Sequence, residues 1–507
     1  MVVATVRLER PQWRWAYRHG LFPMLLAPAV ALRVAALLGY RGVLWFPDSY
    51  SYLGVALRPQ PFPIRPVGYS LLLWLLHPLH SFMLVAGVQH ALGLAVGVLL
   101  YALLRHRFRL PVWGASLAAA PVLLDGYQIE LEHLLMSDVL FEALVMAGVT
   151  VVLWRRRPTV WHVGAAGLLF GLAGVTRSVG LPLIAVLLVY LLLARAGWRG
   201  RLGAATVAAL LFAVPVGAYT VWYHADRGHY AMSNSTGMFV YGRAASFADC
   251  AQVKPPPAER RFCPDEPGGH RRAAPDYVWH NTRAFGHSKP AYKRFTVAND
   301  RAAGDFARRA IIAQPWDYAR ASTRDLLRTF QWSRERYPTT ATVTHYRFPR
   351  IPQHMPHGYS VPGGTIRHDA HRYGHTSGQA TIVTPWATVI RGYQRWIYLH
   401  GTMFGAILLI GAVGLVRHRR TAGGPALLPW GLAVALIVVP PFTTAFDYRY
   451  VLPAVPLACL AAALAFREPG RRAEPPGSPT PAITVPGPPP AQAPGRPHPH
   501  PQPAGRP

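Results

Sequence analysis

Long apolar windows recur along this chain, and they constrain it more than any other feature. The run LPLIAVLLVYLLLA at positions 181–194 is apolar all round, so it must be buried in protein or in lipid. Comparable windows lie near residues 20–40, 80–104, 110–127, 133–154, 160–176, 178–196, 201–223, 397–417, 425–445 and 449–466. Most reach or approach the ~20 residues needed to cross a bilayer core. Composition agrees: 51% of the 507 residues are hydrophobic and 15% are charged, against ~25% charged in ordinary globular domains. An ordinary cytosolic enzyme and a disordered chain are both excluded on this ground. The expected fold class is an all-α polytopic membrane protein of about ten transmembrane helices.

The charge gives the orientation. The formal net charge is +30, carried almost wholly by Arg, since only Lys254, Lys289 and Lys293 are lysines. With ten spans, the basic loops RHRFR (105–109), RRR (155–157), RAGWRGR (195–201) and RHRR (417–420) fall on one side, together with both termini. The positive-inside rule makes that side cytoplasmic. The run GYSLLLWLLHPL (68–79) is apolar but ends at Pro78 after about a dozen residues, a length that suits an interfacial or re-entrant segment. Counting it as a span would move four basic loops outside. The N-terminus carries Arg7, Arg10, Arg14 and Arg18 ahead of the first apolar run, with no small-x-small cleavage pattern, so a retained first span is expected.

This topology divides the chain into a basic cytoplasmic arm (1–19) and a membrane bundle (20–223) with a first outer loop at 41–79. An extracytoplasmic segment (224–396) follows between spans seven and eight, then the C-terminal membrane helices (397–466). The last part (467–507) is Pro-rich, cannot bury a core and reads as a disordered cytoplasmic tail. The segment 224–396 holds 25 Lys and Arg against 12 Asp and Glu. The positive charge is therefore an orientation signal plus a basic outer segment, and nucleic acid is not an expected partner. Within this segment 276–330 carries apolar residues at helical spacing, with Asp276 and Asp305 near the expected helix starts. Residues 337–385, rich in Pro, Gly and His, read as a long loop. Cys250 and Cys263 flank a Pro-rich stretch in an oxidising exterior and are expected to form a disulfide, while Cys459 lies in a span.

Several ionisable residues gather at the outer ends of the spans. The first loop opens with FPDSYSYL (46–53), placing Asp48, Tyr50 and Tyr52 just after the first span, and continues with RPVGYSLLLWLL (65–76). EHLLMSDVLFEAL (132–144) sets Asp138 near the outer interface, with Glu142 one turn deeper. TRSVGLPL (176–183) supplies Arg177, and FDYRYVLPAVP (446–456) supplies Asp447 and Arg449. Ionisable groups at membrane depth are costly and read as functional. For each alone, an N-cap, an interfacial anchor or a snorkelling Arg is the plainer reading; their common sidedness argues against that. His368, His371 and His375 have a spacing that zinc could use, as well as the composition of a solvated loop.

Taken in order, these motifs resemble those of the GT-C glycosyltransferases, especially the bacterial branch with the lipid A aminoarabinose transferases and protein O-mannosyltransferase-like enzymes. The resemblance rests on Asp48 with Tyr50 and Tyr52, on the RPxGYxLLL helix (Arg65, Pro66, Gly68, Tyr69), on Ser137, Asp138, Leu140 and Phe141, and on the DYRYxLPxxP span from Asp447 to Pro456. It covers most of residues 20–225 and 397–466. It implies a plasma-membrane enzyme of the cell envelope that moves a hexose or pentose from a polyprenyl-phosphate carrier to a lipid, glycan or protein acceptor at the outer face, with inversion. Asp48 is then the candidate base, with Asp138 as the second catalytic acid. Tyr50, Tyr52, Arg65, Tyr69, Arg177, Asp447 and Arg449 are candidate substrate ligands, the arginines because a guanidinium grips phosphate bidentately. The sequence specifies no cofactor. A divalent cation, Mg or Mn, stays open because some relatives pair acids in the first loop, whereas Ser49 follows Asp48 here. The alternative is a membrane transporter or lipid flippase, which should show broken or charged mid-span helices in related halves; only Arg33 and Pro182 hint at that, and no internal repeat accompanies them. A non-catalytic receptor or assembly factor would leave the outer acids unexplained.

Overall fold

The computed structural model describes residues 20–193, 197–287, 290–419, 423–466 and 505. The chain divides after Arg467 into two units, and the helices and strands belong to the first. The basic arm 1–19 and, apart from Gly505, the tail 467–507 lie outside the described residues.

Helices dominate, and strands are limited to pieces of two or three residues. Five helices are long and apolar enough to cross a membrane: Leu21–Gly39, Phe82–Arg107, Trp198–Arg227, Gly424–Thr443 and Tyr448–Ala465. The pair Trp386–Trp396 and Gly401–Arg417, bent by 59°, would be a sixth. The remaining apolar windows form shorter helices, among them Val112–Leu124, Val160–Thr176 and Leu183–Leu193. At 1.5 Å per residue a 13-residue helix covers only about 20 Å, so among the described residues five helices, or six with the bent pair, are long and apolar enough to cross a membrane unaided. The window near 133–154 becomes a continuous helix only at Asp138, because the preceding helix ends at His133 and Leu134 bridges to Leu44 of the first loop.

Small residues set the packing. Val160–Thr176 lies against Trp198–Arg227 so closely that a Cβ on Gly167 would come within 2.2 Å of the Ala208 carbonyl, and one on Gly171 within 2.5 Å of that of Phe212. Such small-residue stripes let apolar helices approach where lipid supplies no hydrophobic drive. A second core holds Tyr40, Val43, Leu44, Trp45 and Phe46 together with Tyr346, Phe348, Met355, Ile366, Ala370 and Tyr373.

That second core changes the reading of 337–385. The segment carries the helices Thr340–Thr344 and Ile366–Gly374, a hairpin of Tyr359–Val361 with Gly364–Thr365, and a strand at Thr381–Ile382. Ile366, Ala370 and Tyr373 recur at helical spacing, but the His and Arg between them hide the pattern. In 276–330 the helices are present, yet the one containing Asp305 begins earlier, at Val297. Thr296 caps it there by accepting a hydrogen bond from the Asn299 amide. Cys250 and Cys263 are joined by a disulfide.

Candidate active site

The first loop is stitched to two distant segments, and this brings the acids together. Tyr40 and Arg41 pair antiparallel with Ile382 and Thr381. Leu44 bridges to Leu134: its amide donates to the His133 carbonyl at 3.0 Å, and its carbonyl accepts from the Leu135 amide at 2.9 Å. The Gln353 side chain brackets Trp45, accepting from its amide at 2.8 Å and donating to its carbonyl at 3.0 Å. Pro47–Leu57 then forms a helix whose start is closed by the Ser49 hydroxyl, an acceptor for the Phe46 amide at 2.9 Å. Asp48 falls in the first turn of that helix, where the helix dipole favours a carboxylate.

Asp48 Oδ2 lies 2.6 Å from Arg65 and 3.0 Å from Arg449. Arg449 is the hub: it also approaches Asp138 at 4.0 Å and Asp447 at 3.6 Å, and it lies over the rings of Phe46 and Tyr450. Arg177 pairs with Asp138 and sits over Phe141 and Tyr450. Asp447 accepts hydrogen bonds from the Tyr346 hydroxyl at 2.7 Å and from the Arg449 amide at 3.2 Å. Three acids and three arginines thus interleave at the junction of four segments. Asp48 and Arg65 keep 16% and 17% of their side chains exposed, whereas Asp138 is fully enclosed, so an entering ligand meets Asp48 and Arg65 first.

Electrostatics follow from this geometry. Burial by itself would raise the Asp48 carboxyl, but the Arg65 and Arg449 guanidiniums outweigh it and hold the group down at about 2. Burial pushes Asp447 up, with Arg449 and the Tyr346 hydroxyl opposing.

The tyrosines divide. Tyr52 borders the cluster: its ring faces Arg65 at 5.4 Å and its hydroxyl meets that of Ser137 at 2.9 Å. Tyr69 packs edge-on against Tyr52 and donates to Gln89 Oε1 at 2.6 Å, one step removed from the charges. Tyr50 points elsewhere and stacks on Trp45. Tyr346 was missed by sequence reasoning, because it lies in the stretch that reads as loop. Glu142 does not join the cluster; it accepts from Gln128 at 2.9 Å.

Among the described residues no three His, Cys, Asp or Glu side chains converge in a way that could hold a metal ion. Asp48 and Asp138 each meet guanidinium groups, so this arrangement does not fit a divalent cation and no step is derived through one. His375 packs on His80, and His371, His375 and His368 form no such group either.

A second buried polar network was not foreseen. Arg33 grips Glu132 bidentately at 2.7 and 2.8 Å and donates to the Leu123 carbonyl at 2.8 Å. His90 Nδ1 meets Glu132 at 2.8 Å, His90 Nε2 meets His133 Nδ1 at 3.0 Å, and His133 Nε2 donates to the Tyr40 carbonyl at 2.9 Å. The mid-span Arg33 was the sequence signal; its partner, Glu132, lies 99 residues away.

No protein-family model and no curated protein matches the sequence. Among solved structures the chain is similar to the oligosaccharyltransferase of Archaeoglobus fulgidus in its apo form, with 12% identity and a TM-score of 0.42 over 90% of this chain and 51% of that one. It therefore spans about half the length of that protein. It is also similar to ArnT from Cupriavidus metallidurans bound to undecaprenyl phosphate (14% identity, TM-score 0.36, 88% of this chain and 77% of that one). A third is the S. cerevisiae protein O-mannosyltransferase complex bound to the sugar donor (17% identity, TM-score 0.34, 51% of this chain and 38% of that one).

Proposed function

We propose that this chain is a membrane glycosyltransferase that moves a sugar from a polyprenyl-phosphate carrier to an acceptor at the outer face of the plasma membrane, inverting the anomeric centre. The observation that carries the reading is the Asp48 carboxylate clasped between Arg65 and Arg449. A carboxylate in that position is a place-holder for a better anion. An arriving phosphate offers more charge and more oxygens, and it competes for both guanidinium forks. Losing those partners frees Asp48 and returns its proton affinity toward the ordinary ~3.9. It can then take the acceptor's proton as the new glycosidic bond forms, while the arginines stabilise the departing polyprenyl phosphate. Arg177, paired with Asp138, holds the second acid beside Arg449 and fixes the angle of the hub. In this reading the chain spans the membrane ten times, both termini are cytoplasmic, and 224–396 stands outside. The short apolar helix Gly68–Leu79 borders the groove for the lipid tail.

The test is transfer from radiolabelled polyprenyl-phosphate hexoses and pentoses in membranes carrying the wild-type chain or D48N. Asparagine keeps the size and one hydrogen-bond acceptor but cannot take up the proton. Transfer should fall by roughly 10²–10⁴-fold. Full transfer by D48N would remove Asp48 from the chemistry.

A further inference from the structure

The segment that leads into the apolar helix Gly401–Arg417 is itself a helix, Trp386–Trp396, and the two meet at a bend of 59°. At 3.6 residues per turn the surface of Trp386–Trp396 divides three ways. Ala387, Ile390 and Gln394 share one face, and all three are buried. Trp386, Val389 and Trp396 share a second, which is apolar and uncovered: they are 43%, 52% and 72% exposed. Thr388, Arg391 and Arg395 share the third, which is polar, and the Arg395 guanidinium lies over the Trp396 ring at 5.2 Å.

The buried face bolts this helix to the candidate site. Gln394 accepts from the Phe348 amide at 3.1 Å and donates to the Tyr346 carbonyl at 3.0 Å, and Tyr346 is the residue whose hydroxyl reaches Asp447. Arg391 donates to the Tyr40 hydroxyl at 3.2 Å. Ala387 sits so close to the end of the first apolar helix that a Cβ on Gly39 would come within 2.7 Å of its amide nitrogen. The uncovered face therefore belongs to a firmly held element.

What covers that face follows from where it leads. Beyond Trp396 the exposed apolar residues continue through Ile397 and Met403 to Leu409, Val413 and Val416 on Gly401–Arg417. That helix faces lipid, so Trp396 and Ile397 mark the level where hydrocarbon gives way to head groups. Tryptophan concentrates at this level because its ring is apolar and its N–H is polar. A helix with Trp on its apolar face and Arg on its polar face lies in the membrane plane. Carrying the span straight on through 386–396 would instead sink Arg391 and Arg395 into hydrocarbon, which is costly, and the 59° bend avoids this. We propose that Trp386–Trp396 is an in-plane interfacial helix. Its partner is the phospholipid surface of the leaflet on the side of the acid–arginine cluster, which takes Trp386, Val389 and Trp396, while Thr388 and Arg395 face water and head-group phosphates. Because the same helix holds Gly39, Tyr40 and Tyr346, this seat sets the depth of the first loop relative to the bilayer. The inference concerns the membrane seat and stands apart from whether the cluster transfers sugar.

The experiment is spin labelling of the full chain in vesicles of phosphatidylcholine and phosphatidylglycerol. Cys459→Ala removes the thiol outside the Cys250–Cys263 disulfide. Single labels then go on Val389→Cys, on Thr388→Cys and, as a lipid reference, on Leu409→Cys, all at exposed positions. Collision with oxygen, which concentrates in lipid, is compared with collision with a water-soluble nickel chelate. The oxygen-to-nickel ratio at 389 should match that at 409 and exceed that at 388 several-fold, and W386A with W396A should lower it toward the value at 388. Nickel preference at both 388 and 389 would place the helix in water and overturn the proposal. Oxygen preference at both would make it part of a span. Weak collision with either reagent at 389 would mean that protein covers the face, and dipolar broadening there, relieved by unlabelled chain, would identify a second copy as the cover. A ratio unchanged by loss of both tryptophans would also overturn the proposal.

Discussion

Arg33→Met tests whether the buried network of Arg33, Glu132 and His90 ties the first helix to the segment that carries the site. Arg33 is 2% and Glu132 0% exposed, so neither can fall back on water. The substitution keeps most of the aliphatic volume. It removes the two bonds to the carboxylate at 2.7 and 2.8 Å, the 2.8 Å bond to the Leu123 carbonyl and the 3.1 Å bond to that of Ala29. Glu132 keeps only His90 and a long contact from Gln128 at 3.5 Å. It has no room to move, since Gly93 leaves its carboxylate a space that a Cβ would invade at 1.9 Å. Breaking a buried ion pair by removing one partner costs ~3–5 kcal/mol. Hydrogen bonds between membrane helices average nearer ~0.6 kcal/mol, because the unfolded helices find other partners, so the lower end, about 3 kcal/mol, is expected. The assay is denaturant unfolding in detergent micelles, run as a double-mutant cycle with Glu132→Gln. The double variant should recover much of the loss, because a neutral amide in place of the carboxylate no longer strands a charge. Wild-type stability for R33M, or strictly additive effects in the cycle, would refute the claim that Arg33 and Glu132 act as a pair.

Two further outcomes are expected. The ionised form of Asp48, held at about 2 against an ordinary 3.8, should contribute roughly 2 kcal/mol above pH ~4, lost as pH falls toward ~2; thermal scans across that window should show this slope in the wild type and not in D48N. The Cys250–Cys263 bond spans a separation of 13 residues, for which loop-closure entropy gives about 3 kcal/mol; Cys250→Ser or reduction should expose residues 250–263 to limited proteolysis, and an unchanged cleavage pattern would show that packing alone holds that loop.

The sequence by itself determined the class of molecule and the cast of the candidate site. Apolar windows and Arg-rich loops are local signals, set by how long a helix must be and where charge is tolerated, and they can be read without a fold. The same holds for Asp48, Arg65, Asp138, Arg177, Asp447 and Arg449: an ionisable residue at the end of an apolar run stands out wherever it lies. What the tertiary structure alone decided is who meets whom. Asp48 and Arg449 are 401 residues apart, and no periodicity links them. They meet because Leu44 bridges to Leu134 and because the His-rich stretch, which reads as loop, folds over the first loop and supplies Tyr346. Arg33 showed as an isolated charge until Glu132 stood beside it, and Arg334 showed as one of many arginines until three tyrosine rings surrounded it. Pairing across such distances depends on the packing of whole helices, and that information is spread over the chain.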